Sequence, residues 1–120
     1  PALDIGQVEG GHVQGAGWLT TEELVWDDAG RLRTHAPSTY KIPACGDRPD
    51  IFNVALWDGE NPVDTIYKSK AVGEPPFMLG MSAFFALSDA ISACGPNFAN
   101  LQAPATAEEV LSAIARSRDV

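Results

Sequence analysis

A chain of 120 residues with 45% hydrophobic and 20% charged content carries enough apolar material for one ordinary domain and too much for a disordered segment. Its net charge of −8, with only eight Lys and Arg spread along the sequence, excludes a nucleic-acid partner, which would need a basic patch. Cys45 and Cys94 stand in no metal-spaced pair, which argues against a zinc or iron–sulfur site within the chain; they read as reduced thiols of a cytoplasmic protein.

The sequence opens at Pro1 rather than Met, and Ala2 to Gln7 reads as the middle of a structured region. A fragment of a longer polypeptide is expected, with a processed or tag-cleaved whole protein as the alternative. Val8, Ala16 and Leu19 recur at helical spacing, with His12 on the same face. Gly10, Gly11, Gly15 and Gly17 interrupt that pattern, and each costs a helix about 1 kcal/mol relative to alanine. They imply tight packing against a backbone or a ligand, or a segment that is only partly helical. Thr20 to Glu23 offers a capping box that would restart a short helix. Leu24–Trp26, the turn at Asp27–Gly30 and Arg31–Thr34 predict a β-hairpin. Pro37 to Pro49 is loop-like. Phe52 to Trp57 alternates as a further strand, closed by a turn at Asp58–Pro62.

Phe77 to Ala93 predicts a helix apolar nearly all round, ended by Gly95 and Pro96. Gly80, Ser82, Ser88 and Asp89 break its apolar run, so it reads as a buried helix and not a membrane span; no signal peptide is visible. Such a helix needs cover on several sides, and in a fragment it should be partly uncovered. Thr106 and Glu109 make a second capping box. Val110, Leu111 and Ile114 then form the stripe of an amphipathic helix, with Glu108 and Glu109 at its start and Arg116 and Arg118 at its end suiting the helix dipole. The order predicts an α+β fold in a single domain over 1–120: Gly-rich N-terminal helix, hairpin and strand, apolar helix after Gly-Glu-Pro-Pro, C-terminal amphipathic helix.

Chemistry concentrates in Ser69-Lys70-Ala71-Val72-Gly73-Glu74-Pro75-Pro76. Gly73 allows a sharp turn or a close backbone approach. Pro75 should push Glu74 into an extended conformation, while a helix starts at Pro75 or Pro76. Glu74 then sits on stiff backbone just before a helix N-terminus, the fixed placement and the ionised state that a general base needs. The plain alternative is a helix-capping carboxylate. The glycines of 10–17 fit neither the dinucleotide fingerprint nor the P-loop. No Cys, Asp or Glu stands at ligand spacing around His12 or His35, and no metal ligand set is read from the chain. Trp18, Trp26 and Trp57 read as core residues, and Lys41, Lys68 and Lys70 as a solvated face.

Taken in order, Asp4-Ile5-Gly6-Gln7-Val8-Glu9-Gly10-Gly11, Val13-Gln14-Gly15, Thr21-Glu22-Glu23-Leu24, Pro37-Ser38-Thr39-Tyr40-Lys41-Ile42-Pro43, Ser69 to Pro76 and Phe84-Phe85-Ala86 carry a resemblance. From about Asp4 to about Ala93 the chain resembles the C-terminal part of the molybdenum-binding subunit or domain of xanthine dehydrogenases, in the molybdenum hydroxylase family. The Glu-Pro-Pro form is more similar to these than to carbon monoxide dehydrogenases or many aldehyde oxidases. His12, where the family more often has a large apolar residue, and the two cysteines depart from its pattern.

The resemblance implies a molybdenum ion held by a pterin dithiolene, a purine substrate such as xanthine or hypoxanthine, and Glu74 as the base that takes a proton from an oxygen ligand of the metal. It implies Gln7 against the molybdenum cofactor, Gly6 and Gly73 permitting close approach, and Val72 lining the pocket beside Glu74. For Gln7 the plain alternative is a polar cap of the first helix. Iron–sulfur clusters and FAD would lie in other parts of the enzyme, so the expected partners are the remaining molybdenum-subunit segments and an iron–sulfur/FAD subunit; a homo-oligomer is compatible. By itself the fragment would be inactive. The alternatives are a non-catalytic binding or assembly module of the same fold, and a hydroxylase acting on aldehydes or other N-heterocycles.

Overall fold

The computed structural model describes residues 2–70 and 73–119. Among them are four α-helices: α1 (Ala2–Thr20), α2 (Pro75–Leu79), α3 (Met81–Ser92) and α4 (Ala107–Arg118), with short 3-10 turns at Cys45–Asp47 and Ile66–Lys68. The expected α+β fold is not what forms: the described residues are helical and irregular. The expected hairpin reduces to one antiparallel bridge between Trp26 and Leu32, with Arg33 N–H donating to the Val25 carbonyl at 2.7 Å. Phe52 to Trp57 is irregular. An alternating segment becomes a strand only where a neighbouring strand takes up its backbone groups, and none of the described residues does so here.

Helix α1 runs unbroken through all five of its glycines, the expected four at 10–17 and Gly6. Gly15 of α1 and Gly80, which follows α2, show why. A β-carbon at Gly15 would overlap the Phe77 carbonyl, and one at Gly80 would lie 2.8 Å from Gly15 Cα. The α1–α2 crossing is therefore backbone against backbone, and the lost helix propensity is offset by close packing. The restart expected at Thr20–Glu23 does not occur. The Thr20 hydroxyl donates back to the Ala16 carbonyl at 2.7 Å, and Thr21 and Glu22 N–H both close on Gly17. The helix expected over 77–93 divides at Gly80 into α2 and α3.

Helix α4 starts as read: the Thr106 side chain accepts from Glu109 N–H at 3.2 Å. The reciprocal half of the box is replaced, because the Glu109 carboxylate accepts from Gln102 N–H at 2.8 Å and from Arg116 at 2.6 Å. Its inner face is Val110, Ala113, Ile114 and Ser117, packed with Ile91, Ala99 and Leu101. Leu111, expected in the stripe, is 69% exposed. A β-carbon at Gly95 would overlap the Ser117 carbonyl, so this glycine, two residues past the Ala93 cap of α3, lets the chain lie on α4.

The core is thin. The radius of gyration is 18.3 Å, against about 14 Å for a compact domain of this length. Trp18, Trp26 and Trp57, expected in the core, are all more than half exposed, and Met78, Leu79, Met81 and Phe85 on α2 and α3 are uncovered too. No helix among the described residues is long and apolar enough to cross a membrane.

Candidate functional site

The α1–α2 crossing creates an open cleft of about 500 Å³. One wall is a face of α1 carrying Gln7, Gly10, Gly11 and Gln14; the other is Gly73, Glu74 and Phe77. Two contacts set the register of these walls. A β-carbon at Gly11 would lie 3.3 Å from Pro76 Cβ, and Gly15 lies against Phe77. Because Pro76 and Phe77 are held to α1, Glu74, two residues earlier, is carried to the cleft.

Glu74 is the N-cap of α2 by position, and its carbonyl accepts from Met78 N–H at 3.1 Å. Its backbone is not extended as expected from Pro75; φ is −90° and ψ 2°, the bridge region in which many active-site residues sit. That conformation turns the chain directly into the helix. The side chain makes no capping hydrogen bond. Among the described residues it has no hydrogen-bond or ion-pair partner, and it is exposed to the cleft that it lines. The helix-capping alternative for the Glu74 carboxyl therefore has no support in the geometry.

Gln7 and Gly73 line the cleft with Glu74. Gln7 lies well inside α1, not at its end, so the capping alternative for it is not what forms. Gly6 is not part of the lining, and nothing lies within 4 Å of a β-carbon placed there. Val72 lies outside the described residues. Sequence reasoning missed Gln14 and Phe77 as lining residues, and read Gly10 and Gly11 only as glycines set against a backbone or a ligand. The signal was present: Gln7 and Gln14 are seven apart, two helical turns, and so share a face.

The site offers two primary amides, each able to donate and accept, a carboxyl group, an aromatic ring and bare helix surface. Among the described residues no group of three His, Cys, Asp or Glu side chains could hold a metal ion. His12 is engaged elsewhere, its ring 5.7 Å from that of Phe52. Both cysteines are free and exposed.

The family described as the molybdopterin cofactor-binding domain matches residues 1–49, which hold α1 and its Gln7–Gln14 face but stop short of Glu74. The chain is 47% identical over 122 residues to xanthine dehydrogenase 2 of Arabidopsis thaliana, covering 92% of this chain and 9% of the relative. It is 50% identical over 116 residues to the xanthine dehydrogenase of Dictyostelium discoideum, covering 92% and 8%. Against the xanthine dehydrogenase/oxidase of Rattus norvegicus it is 50% identical over 120 residues, covering 94% and 9%. Residues 1–49 thus match a molybdopterin cofactor-binding domain. More narrowly, over nine-tenths of its length the chain is similar to a segment of xanthine dehydrogenases, and it spans about a tenth of the length of the curated relatives that it matches.

Proposed function

We propose that the chain contributes one wall of the active site of a molybdenum hydroxylase that oxidises purines. In this reading Glu74 is the general base, and Gln7 and Gly73 flank the molybdopterin. Gly6 would serve a part of the cofactor reaching past Gln7, and Val72 keeps the role beside Glu74 that the resemblance implies. The observation that carries the reading is that Gln7 and Glu74 line one open cleft, with the Glu74 carboxyl left free of capping duty.

The donor set fits a pterin. Its heterocyclic edges carry both N–H and carbonyl groups, which primary amides match in either sense, and the glycines of α1 leave room for a ring to come close. When bound, the cofactor supplies the redox centre at which the purine is hydroxylated. The chain's own part is to place a base. Glu74, set on a stiff backbone fixed through Pro76 and Phe77, would accept on a carboxylate oxygen the proton released at the bound cofactor, so no search over side-chain positions is needed beyond the glutamate's own rotamers. Gln7 orients the cofactor by hydrogen bonds from a helix, a more rigid support than a loop.

The exposed apolar residues of α1, α2 and α3 are the faces on which the remaining molybdenum-subunit segments would pack, with the iron–sulfur and FAD parts beyond them and the whole enzyme in the cytoplasm. The 120 residues would fold as one unit of that subunit. Assay of the complete protein with xanthine, hypoxanthine, an aldehyde and a non-purine N-heterocycle tests the substrate class. The reading expects turnover of the purines. Preference for aldehydes would replace the substrate, and no turnover of any of them with cofactor present would favour a binding module. Metal analysis of the 120-residue chain alone should find no stoichiometric molybdenum.

A further inference from the structure

We infer that Gln14 is a second amide holding the same bound cofactor as Gln7, so that the cofactor lies along α1 across Gly10 instead of touching the helix at Gln7 alone. The inference rests on the reading of the cleft given above. Gln7 and Gln14 share one face of α1, about 10 Å apart along its axis, and both line the cleft opposite Glu74. Neither amide makes a side-chain hydrogen bond within the described residues, so both leave donor and acceptor free to the cleft.

Gly10, between them, supplies the second observation. Gly11 and Gly15 are accounted for by Pro76 and Phe77, which a β-carbon would crowd. At Gly10 nothing lies within 4 Å of a β-carbon, yet the position lines the cleft. A mid-helix glycine weakens the helix, and here no packing within the chain requires it. Its bareness is explained when a flat group lies against the helix at that point, with one amide beyond each end of the contact.

The experiment uses the complete enzyme with Gln14→Leu, Gln7→Leu, Gly10→Ala and Glu74→Gln, reading molybdopterin and molybdenum per protein, helical content and the melting midpoint of cofactor-free protein. Gln14→Leu should lower cofactor affinity about fivefold or more, the weight of one neutral hydrogen bond, with the cofactor-free melting midpoint unchanged. Gly10→Ala should lower cofactor content while raising the melting midpoint of cofactor-free protein, a pair of opposite effects that a purely structural glycine would not give. If Gln7→Leu loses cofactor while Gln14→Leu and Gly10→Ala keep it, the inference is overturned and the reading of the cleft stands. Full cofactor in Gln14→Leu with a raised KM for purine would overturn it as well, by moving Gln14 to the substrate. If none of the four variants changes cofactor content or turnover, the cleft reading falls together with the inference.

Discussion

The carbonyl of Phe77 fills the space that a β-carbon at Gly15 would need, and this one relationship sets where the candidate base stands. Gly80 repeats it from the other side, with its own missing β-carbon against the backbone of Gly15 and Ala16. Two helices that meet backbone on backbone can slide little, because any shift brings main-chain atoms into overlap. Glu74, three residues before Phe77, takes its place from that lock.

Gly15→Ala should therefore destabilise the fold by about 1–3 kcal/mol, the range for overpacking a close contact. Gly6→Ala is the control: its β-carbon meets nothing within 4 Å in this chain, and alanine should raise the helicity of α1. Thermal denaturation followed by circular dichroism measures both. Equal melting for the two variants would contradict the lock.

Glu109 ties the loop before α4 to the helix. Its carboxyl is held below its ordinary value of 4.5, first by the hydrogen bond from Gln102 N–H and then by Arg116, with burial opposing them. A depressed folded-state value means that the carboxylate's contribution is fully present above about pH 4.5 and fades as the pH falls through the lower folded value. Glu109→Gln should lose about 1–2 kcal/mol at neutral pH and flatten the acid limb of the stability curve. Denaturant melts at neutral and acid pH would show it.

Tyr40 donates its hydroxyl proton to Glu22 at 2.6 Å, linking the loop to the end of α1. That hydrogen bond, then burial, then the carboxylate charge push the phenol above its ordinary 10.0. The raised value favours the neutral phenol when folded, so the link contributes below pH 10 and is lost as the pH rises through the folded value. Absorbance titration should give a phenolate midpoint above 10 that is missing in Tyr40→Phe. The variant should also melt lower, by about 1 kcal/mol of stability.

Helices α2 and α3 leave Met78, Met81 and Phe85 uncovered beside Trp18 on α1, with Leu79 exposed as well. An apolar surface of this kind drives association in water. The 120-residue chain alone should show a scattering mass that rises with concentration, and Phe85→Lys should reduce the rise. A clean monomer at high concentration would mean that these residues need no cover.

What could be read from the sequence was local. The start of α2 at Pro75 follows from proline's fixed φ, and the start of α4 at Thr106 from its side-chain cap. Gln7 and Glu74, singled out through the motifs around them, both line the cleft. What failed needed a partner. Phe52–Trp57 alternates like a strand but meets no ladder among the described residues, and Leu24–Thr34 pairs through one bridge only. The glycines of α1 suggested close packing, yet nothing local says that Gly15 meets Phe77 while Gly10 meets nothing. Glu74 adopts a bridge conformation against the preference set by Pro75, because α2 begins at once and is held to α1.

The most direct measurement is Glu74→Gln in the complete enzyme, with turnover and molybdenum content read on the same preparation. Amide for carboxyl keeps the size and removes the base. Turnover should fall by about a hundredfold or more with molybdenum content unchanged. Near-normal turnover at full molybdenum content would contradict the assignment of Glu74 as the base.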